Sequence, residues 1–110
     1  MAMDTHANLH DGNLHSIHVE MGESTSIVIM LSFYENPNER KRSEATLTFA
    51  NVTSFSNVVD FKRQAEHARF GNISDWAPAR RRGTTFIHLA AGTMSIFSDP
   101  PVLLVTSPGG

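Results

Sequence analysis

The stretch SIVIMLSFY, from Ser26 to Tyr34, decides the fold class. Successive side chains of a β-strand point to opposite faces, and both faces of this stretch are apolar. One face holds Ile27, Ile29, Leu31 and Phe33, and the other holds Val28, Met30 and Tyr34. A strand of this kind is central and covered on both sides, or else one of its faces meets another subunit. We therefore expect a β protein built around this strand.

Alternating segments on both sides of this stretch predict further strands at Leu14–Met21, Ser43–Val52, Thr84–Ala90, Thr93–Ser98 and Val102–Val105. The tight turn Ala91-Gly92 joins two of them into a hairpin. The expected fold is mainly β, an antiparallel β-sandwich or rolled sheet of about six to seven strands with one short helix. The predicted core consists of Ile17, Val19, Ile29, Leu31, Leu47, Phe49, Ile87, Leu89 and Ile96.

In the segment Asn57–Phe70, the apolar residues no longer alternate with polar ones as in a strand. Val58, Phe61 and Ala65 recur at helical spacing, and Gly71 stands where a helix is commonly terminated. These features predict the short helix, although Val52–Phe61 also fits a strand. The following residues, 72–83, are expected to form a loop.

The chain has 110 residues, which fits one domain. We expect that domain at residues 9–106, with disordered tails at 1–8 and 107–110. No secretory signal is visible, and the longest apolar run, Ile27–Leu31, is too short to cross a bilayer. These features predict a cytoplasmic protein without a membrane partner.

Composition also limits the chemistry. There is no cysteine, which excludes disulfides, thiolate metal sites and thiol nucleophiles. The formal net charge is −2, so a nucleic-acid partner is not expected from the global balance. No phosphate-binding glycine loop or nucleophile elbow is present, so no cofactor is predicted and the chain is not expected to be an enzyme.

The histidines near the N-terminus are one candidate site. His10 and Asp11 could act as a base and its orienting acid, and His10 could meet His15 across the turn. His15 and His18 are three apart, so on a regular strand they face opposite ways, which speaks against a shared metal. We expect no metal, while a small-molecule, metal or enzymatic site around His10 and His15 stays the first alternative function.

A second candidate site combines Trp76 with Arg80, Arg81 and Arg82. Guanidinium groups bind phosphate or carboxylate, and the indole offers a stacking face. Single-stranded nucleic acid would suit such a loop, and this is the second alternative function. The competing interpretation is a solvated loop whose arginines balance acidic neighbours, because eleven acids offset nine bases.

Several short motifs carry a resemblance. They are Leu9-His10-Asp11-Gly12, Leu47-Thr48-Phe49, Gly71-Asn72-Ile73 and Ile87-His88-Leu89-Ala90-Ala91-Gly92. In this order they resemble small bacterial β-rich proteins that open with a Leu-His-Asp motif, some of which are grouped with immunity proteins of polymorphic toxin systems. The resemblance implies a β-sandwich or rolled sheet and a role in binding another protein, with no catalytic residue.

These observations favour a binding function, directed at a protein partner or at a second copy of the chain. The outer face of Ser26–Tyr34 predicts a homodimer that buries on the order of 1,200 Å² or more in total.

Overall fold

A computed structural model of the chain describes residues 2–3, 7–36, 38, 41–59, 72–90 and 92–107. The described residues form two antiparallel sheets. Their strands are β1 (Ala2–Met3), β2 (Asn13–Glu20), β3 (Ser26–Phe33), β4 (Ser43–Phe49), β5 (Ser54–Val59), β6 (Ile73–Ala77), β7 (Gly83–Leu89), β8 (Gly92–Ser98) and β9 (Val102–Ser107).

The first sheet has the order β1-β9-β4-β3-β2, and the second has the order β5-β8-β7-β6. Every pairing is antiparallel. The sheets share one core, to which β3, β4 and β9 of the first and β7 and β8 of the second contribute alternate residues. This confirms a mainly β fold with two antiparallel layers, and it confirms the hairpin, which is paired from Gly83↔Ser98 to Leu89↔Gly92.

Most of the predicted core is buried, because the alternation in the sequence matches the pleat. Seven of the predicted residues lie in it: Ile29, Leu31, Leu47, Phe49, Ile87, Leu89 and Ile96. Ile17 is only half-buried, and Val19 is 41% exposed. Both lie on β2, which is the edge of the first sheet, so the second layer does not cover them fully. The assignment of Val19 to the core was wrong.

The predicted helix is wrong where it can be compared with the structure. Asn57–Val59 belong to β5, which pairs with β8 from Ser54↔Phe97 to Val59↔Gly92, while residues 60–70 lie outside the described part. The described residues contain no helix, and consequently none that could span a membrane. The strand interpretation of Val52–Phe61 agrees with β5.

A second correction concerns the expected loop at residues 72–83, which contains β6. A bulge between Ile73 and Asp75 breaks the alternation, so that Ile73 and Trp76 both oppose core residues of β7 although they are three apart. The described residues therefore form eight strands of five to eight residues besides the two-residue β1, rather than six or seven.

Residues Leu9–Asn13, which we call the Leu9–Asn13 junction, fasten the two sheets together. Leu9 is fully buried in the shared core. The Asp11 amide donates to the Ile73 carbonyl at 2.9 Å, and the Ile73 amide donates to the Gly12 carbonyl at 2.7 Å. A Cβ on Gly12 would lie 2.9 Å from two backbone carbonyl oxygens, so only glycine fits. The opening Leu-His-Asp-Gly motif therefore has a structural role.

The described part of the expected N-terminal tail also belongs to the fold. Ala2–Met3 pair with β9, and Ala7 packs against the core. At the other end of the domain, β9 continues to Ser107, while residues 108–110 lie outside the described part.

Candidate functional site

An open depression of about 490 Å³ lies along the edge of the second sheet, and we call it the Trp76 depression. It is lined by Ala7, Asn8, Asp75, Trp76, Ala77, Pro78 and Arg80. Its volume is within the range of small-molecule sites. Two of the residues predicted from the sequence, Trp76 and Arg80, are brought together here.

The indole of Trp76 is held in a fixed position. Trp76 opposes Ile87 across the β6–β7 pair and packs against the core, and its Nε1 donates to the Ala7 carbonyl at 2.7 Å. The indole is half-buried and lines the depression with the part that the core does not cover. A ring held in this way can contact a ligand without losing side-chain freedom.

The three consecutive arginines, Arg80–Arg82, lie in different surroundings. Arg80 lines the Trp76 depression, and Arg81 is exposed in the same loop outside it. Arg82 instead donates from Nη1 to the Asp99 carboxylate at 3.0 Å and to the Asn51 carbonyl at 2.7 Å, and it stacks over the Phe97 ring. The prediction that Arg80, Arg81 and Arg82 act together is therefore not supported by their positions.

The Arg82 contacts also affect Asp99. Asn51 Nδ2 donates to Asp99 Oδ2 at 2.6 Å, and this bond, together with the bond from Arg82, holds the pKa of the Asp99 carboxyl below its ordinary value of 3.8. The Asp99 amide donates to Ala50, in the crossing from β4 to β5. The contacts among Asn51, Arg82 and Asp99 therefore stabilise the connection from β4 to β5, which links the two sheets. Arg82 thus has a structural role.

His10 and Asp11 form an exposed pair in which His10 Nδ1 lies 3.4 Å from Asp11 Oδ2. Both side chains are more than half exposed. The Asp11 backbone is committed to the fold, since its φ is 63° and its carbonyl accepts bonds from Arg42. The hydrogen bonds and ion pairs of the described residues do not join His10 to His15. His10 and Asp11 are therefore residues of a turn, as expected for Asp before Gly.

The sequence did not reveal a polar cluster on the outer face of the first sheet. His15 Nε2 lies 3.1 Å from Ser32 Oγ and 3.7 Å from Glu44 Oε2. A nucleophilic triad needs the serine and the acid on different imidazole nitrogens, whereas here both approach the same one. The arrangement is therefore unsuited to activate Ser32.

A β-bulge explains why this cluster was missed. The β2–β3 register shifts between Leu14 and Ser16, so His15 reaches the same outer face as His18, which opposes Val28. The prediction that His15 and His18 face opposite ways assumed a regular strand and was wrong. Even so, the described residues contain no group of three His, Asp or Glu side chains that could hold a metal.

The first sheet also carries an exposed aliphatic patch on its outer face, formed by Val28, Met30, Val102 and Leu104. Met30 is 52%, Val102 51% and Leu104 40% exposed, while Val28 is half-buried. The register places Val28 and Val102 on either side of Thr48, and Met30 and Leu104 on either side of Thr46. The four side chains therefore form two neighbouring rows across three strands.

Tyr34, which was grouped with Val28 and Met30, does not join this patch. It follows the end of β3, and the Arg42 guanidinium covers its ring at 4.8 Å from the ring centroid. The predicted outer apolar face of Ser26–Tyr34 is thus replaced by a patch that includes β9.

The outer face of the second sheet is aromatic instead. Phe86 and Phe97 are exposed there. The Phe86 ring is nearly parallel to the His88 ring, with centroids 6.4 Å apart, and Phe97 carries the Arg82 guanidinium. Both aromatic rings therefore already contact a polar neighbour in the same chain.

No family model matches the chain, and no curated protein or solved structure matches it either. Function therefore has to be inferred from the geometry of the chain's own surfaces.

Proposed function

We propose that the chain is a protein-binding module whose partner is a second copy of itself, docked through the aliphatic patch. The observation that carries this proposal is the exposure of Met30, Val102 and Leu104 on one continuous sheet face. Monomeric proteins seldom expose neighbouring apolar side chains without a use for them, since burial of such surface contributes about 25 cal/mol per Å².

The chemistry of the patch favours a second copy. The two rows that contain the patch are completed by Thr46 and Thr48 on β4 and by Ser16 and His18 on β2. They include no Asp, Glu, Lys or Arg. Two copies related by a two-fold axis therefore place no obligatory like charges against each other, and a two-fold dimer is the commonest closed assembly.

The outer face of the second sheet is a weaker candidate. Its aromatic rings contact His88 and Arg82 within the chain, and Asp75 opposes His88 on the same face. Docking a second copy there would require these polar groups to lose water. The two rows of the first sheet contain hydroxyl groups and His18 but no acidic side chain or guanidinium, so the cost of removing water there is smaller.

The immunity-type role that the resemblance implies is a proposal of the same class. In that role the aliphatic patch would meet a heterologous protein rather than a second copy. The two proposals differ in the behaviour of the isolated chain, which is monomeric in the heterologous case.

Sedimentation equilibrium across a dilution series tests self-association. We expect a species of about twice 12.1 kDa at high micromolar concentration. Val102→Glu places a charge inside the patch and should leave a monomer at every concentration, because two carboxylates would be buried together.

Val58→Glu is the matched control, because Val58 is also exposed but lies on β5 of the second sheet. It should preserve the dimer. A wild-type mass that stays at 12.1 kDa throughout, or an equal loss of mass in both variants, would rule out self-association through this patch.

A further inference from the structure

The strand β2 is the last strand of the first sheet, and among the described residues no strand pairs with its free side. At its start, Asn13 is bridged to Asn72, and a bulge lies between Leu14 and Ser16. From Ser16 to Glu20 the strand pairs regularly with β3 on one side, and no other backbone hydrogen bond of the described residues reaches it. Every second residue of Ser16–Glu20, which we call the β2 edge, therefore directs its amide and carbonyl groups away from the sheet.

The β2 edge also leaves aliphatic side chains uncovered on the inner face of the sheet. Ile17 opposes Ile29 of β3, and both point toward the second sheet. Val19 opposes Ile27 in the same way. The two β3 residues are fully buried, whereas Ile17 is half-buried and Val19 is 41% exposed. The second sheet therefore covers β3 but covers β2 only in part, and a further strand beyond β2 would complete this cover.

The sequence of the β2 edge does not protect it from pairing. Exposed edges are commonly blocked by lysine, by proline, by a charged side chain on the inner face or by a bulge. The β2 edge reads SIHVE and contains neither lysine nor proline. Its carboxylate, on Glu20, stands at the end of the strand and opposes Ser26 on the outer face, and the bulge precedes the regular stretch. The edge is thus open to a strand from another chain.

The edges of the second sheet are less suited to this role. β5 places Asn57 opposite the buried Met94, so an added strand would remove water from an amide on the inner face. β6 has a bulge between Ile73 and Asp75, and Pro78 follows its end. Of these three edges, the β2 edge alone combines a regular stretch with aliphatic side chains at successive inner positions.

We propose that the β2 edge binds an extended segment of another protein, which joins the first sheet as a sixth strand and places aliphatic side chains over Ile17 and Val19. In this mode of recognition the main-chain hydrogen bonds supply affinity, and alternate side chains supply specificity. The site is separate from the aliphatic patch, which lies on the outer face and extends to β9, and so it does not depend on self-association.

A second copy of the chain is a less suitable occupant of the β2 edge. Two folded copies that pair through this edge would meet along about 17 Å, the length of five extended residues. A stable dimer buries on the order of 1,200 Å² or more, which so short a ladder between two folded bodies does not provide. An extended segment is not held away by a folded body of its own and can lie over the uncovered side chains.

The probe is a synthetic peptide of alternating valine and threonine, as long as the eight-residue β2, with a fluorescent label and a lysine at each end for solubility. Fluorescence anisotropy measures its binding to the full chain. We expect saturable binding, and no binding of the same peptide with every backbone amide methylated, because that peptide keeps its side chains but cannot donate to the edge. Amide hydrogen exchange followed by NMR should slow at alternate residues of Ser16–Glu20.

Val19→Lys should weaken peptide binding about tenfold or more, because an ammonium group would have to lose water beneath the added strand. Val58→Lys is the matched control, since it makes the same change at an exposed valine on another edge strand, β5, and it should bind the peptide as the wild type does. Val102→Glu should also bind normally, so that failure of the patch and failure of the edge are distinguished. Thermal unfolding shows that each variant is folded.

Four results would overturn the proposal. They are no saturable binding of the peptide, equal binding of the methylated peptide, slowed exchange at strands other than β2 alone, and an equal loss of binding in Val19→Lys and Val58→Lys. Sedimentation of the variants covers the competing occupant. A dimer that is lost in Val19→Lys but kept in Val102→Glu would assign the β2 edge to a second copy instead.

Discussion

Neighbouring aliphatic side chains on the two faces of the first sheet differ widely in burial. Leu31 on the inner face of β3 is fully buried, whereas Met30, the preceding residue, is half exposed on the outer face. On β9, Leu103 is fully buried and its neighbour Leu104 is 40% exposed. Each of these strands carries aliphatic side chains on both faces, but only the inner face meets a second sheet. Hydrophobicity along a strand thus indicates which side chains can be buried, and the arrangement of layers decides which of them are.

Leu31→Ala should have the largest effect. Removing a fully buried leucine side chain leaves a cavity between the sheets, and we expect the free energy of unfolding to fall by about 2–5 kcal/mol. Urea unfolding followed by circular dichroism measures it. A loss below about 0.5 kcal/mol, the range of surface substitutions, would show that the inner face is not the core.

Leu103→Ala and Leu104→Ala are a matched pair, because the same atoms are removed at adjacent positions on one strand. The first should cost about 2–5 kcal/mol at every protein concentration. The second should cost about 1 kcal/mol or less in dilute solution, with a larger loss at concentrations where the dimer forms. Equal losses at low concentration would contradict the contrast between the faces.

Gly12→Ala tests the packing of the Leu9–Asn13 junction by adding a methyl group, whereas the leucine variants remove side-chain atoms. The new Cβ would lie 2.9 Å from the carbonyl oxygens of Leu9 and Ser32, so the backbone must shift, at a cost of about 1–3 kcal/mol. Gly22→Ala is the control, because its Cβ would meet its nearest atom at an ordinary 3.7 Å. If thermal unfolding gives the same midpoint for both variants, the Leu9–Asn13 junction is looser than described.

Asp99 should give the smallest effect and should depend on pH. Its pKa is lowered in the folded state by the bonds from Asn51 and Arg82, so the ionised carboxylate stabilises the fold above its ordinary pKa of 3.8. That contribution is lost as the pH falls below this value and through the lowered pKa. In Asp99→Asn, the decline in stability between about pH 4 and pH 2 should be shallower than in the wild type. If chemical denaturation gives the same decline in stability for Asp99→Asn and the wild type, the ionisation of Asp99 does not contribute to the stability of the fold.

Regular alternation made much of the fold predictable. The strands β3, β4, β7, β8 and β9 follow the period of two, as β2 does after its bulge. In the sequence, Ala91-Gly92 predicted the hairpin that β7 and β8 form. Bulges account for two failures, since one hid β6 and the other turned His15 toward the face of His18. β5 was obscured because Val58 also fits the helical spacing of the residues that follow it. The alternation of apolar and polar residues within one segment does not reveal a bulge, and it does not identify the strand that pairs with that segment.

The candidate site was predictable only in part. Trp76 and Arg80 stand four apart on either side of Pro78, and the structure places both in one depression. The sequence could not separate Arg80 from Arg82, because Asp99, the partner of Arg82, lies seventeen residues further along the chain. Asp75 and Asn8 were missed because neither belongs to a recognisable motif. Which side chains line one depression depends on tertiary contacts that the sequence order does not show.

The Leu9–Asn13 junction has a consequence for the order of folding. Its backbone bonds join Gly12 to Ile73, about 60 residues away in the sequence, so the closure carries a large entropic cost and the junction should form late. During synthesis, the Asp11 amide and the Gly12 carbonyl have no backbone partner until residue 73 has left the ribosome. Contacts that form after the rate-limiting step slow unfolding without accelerating folding. We therefore expect Leu9→Ala to raise the unfolding rate and to leave the refolding rate nearly unchanged in stopped-flow experiments, which makes this junction a determinant of how long the folded chain persists.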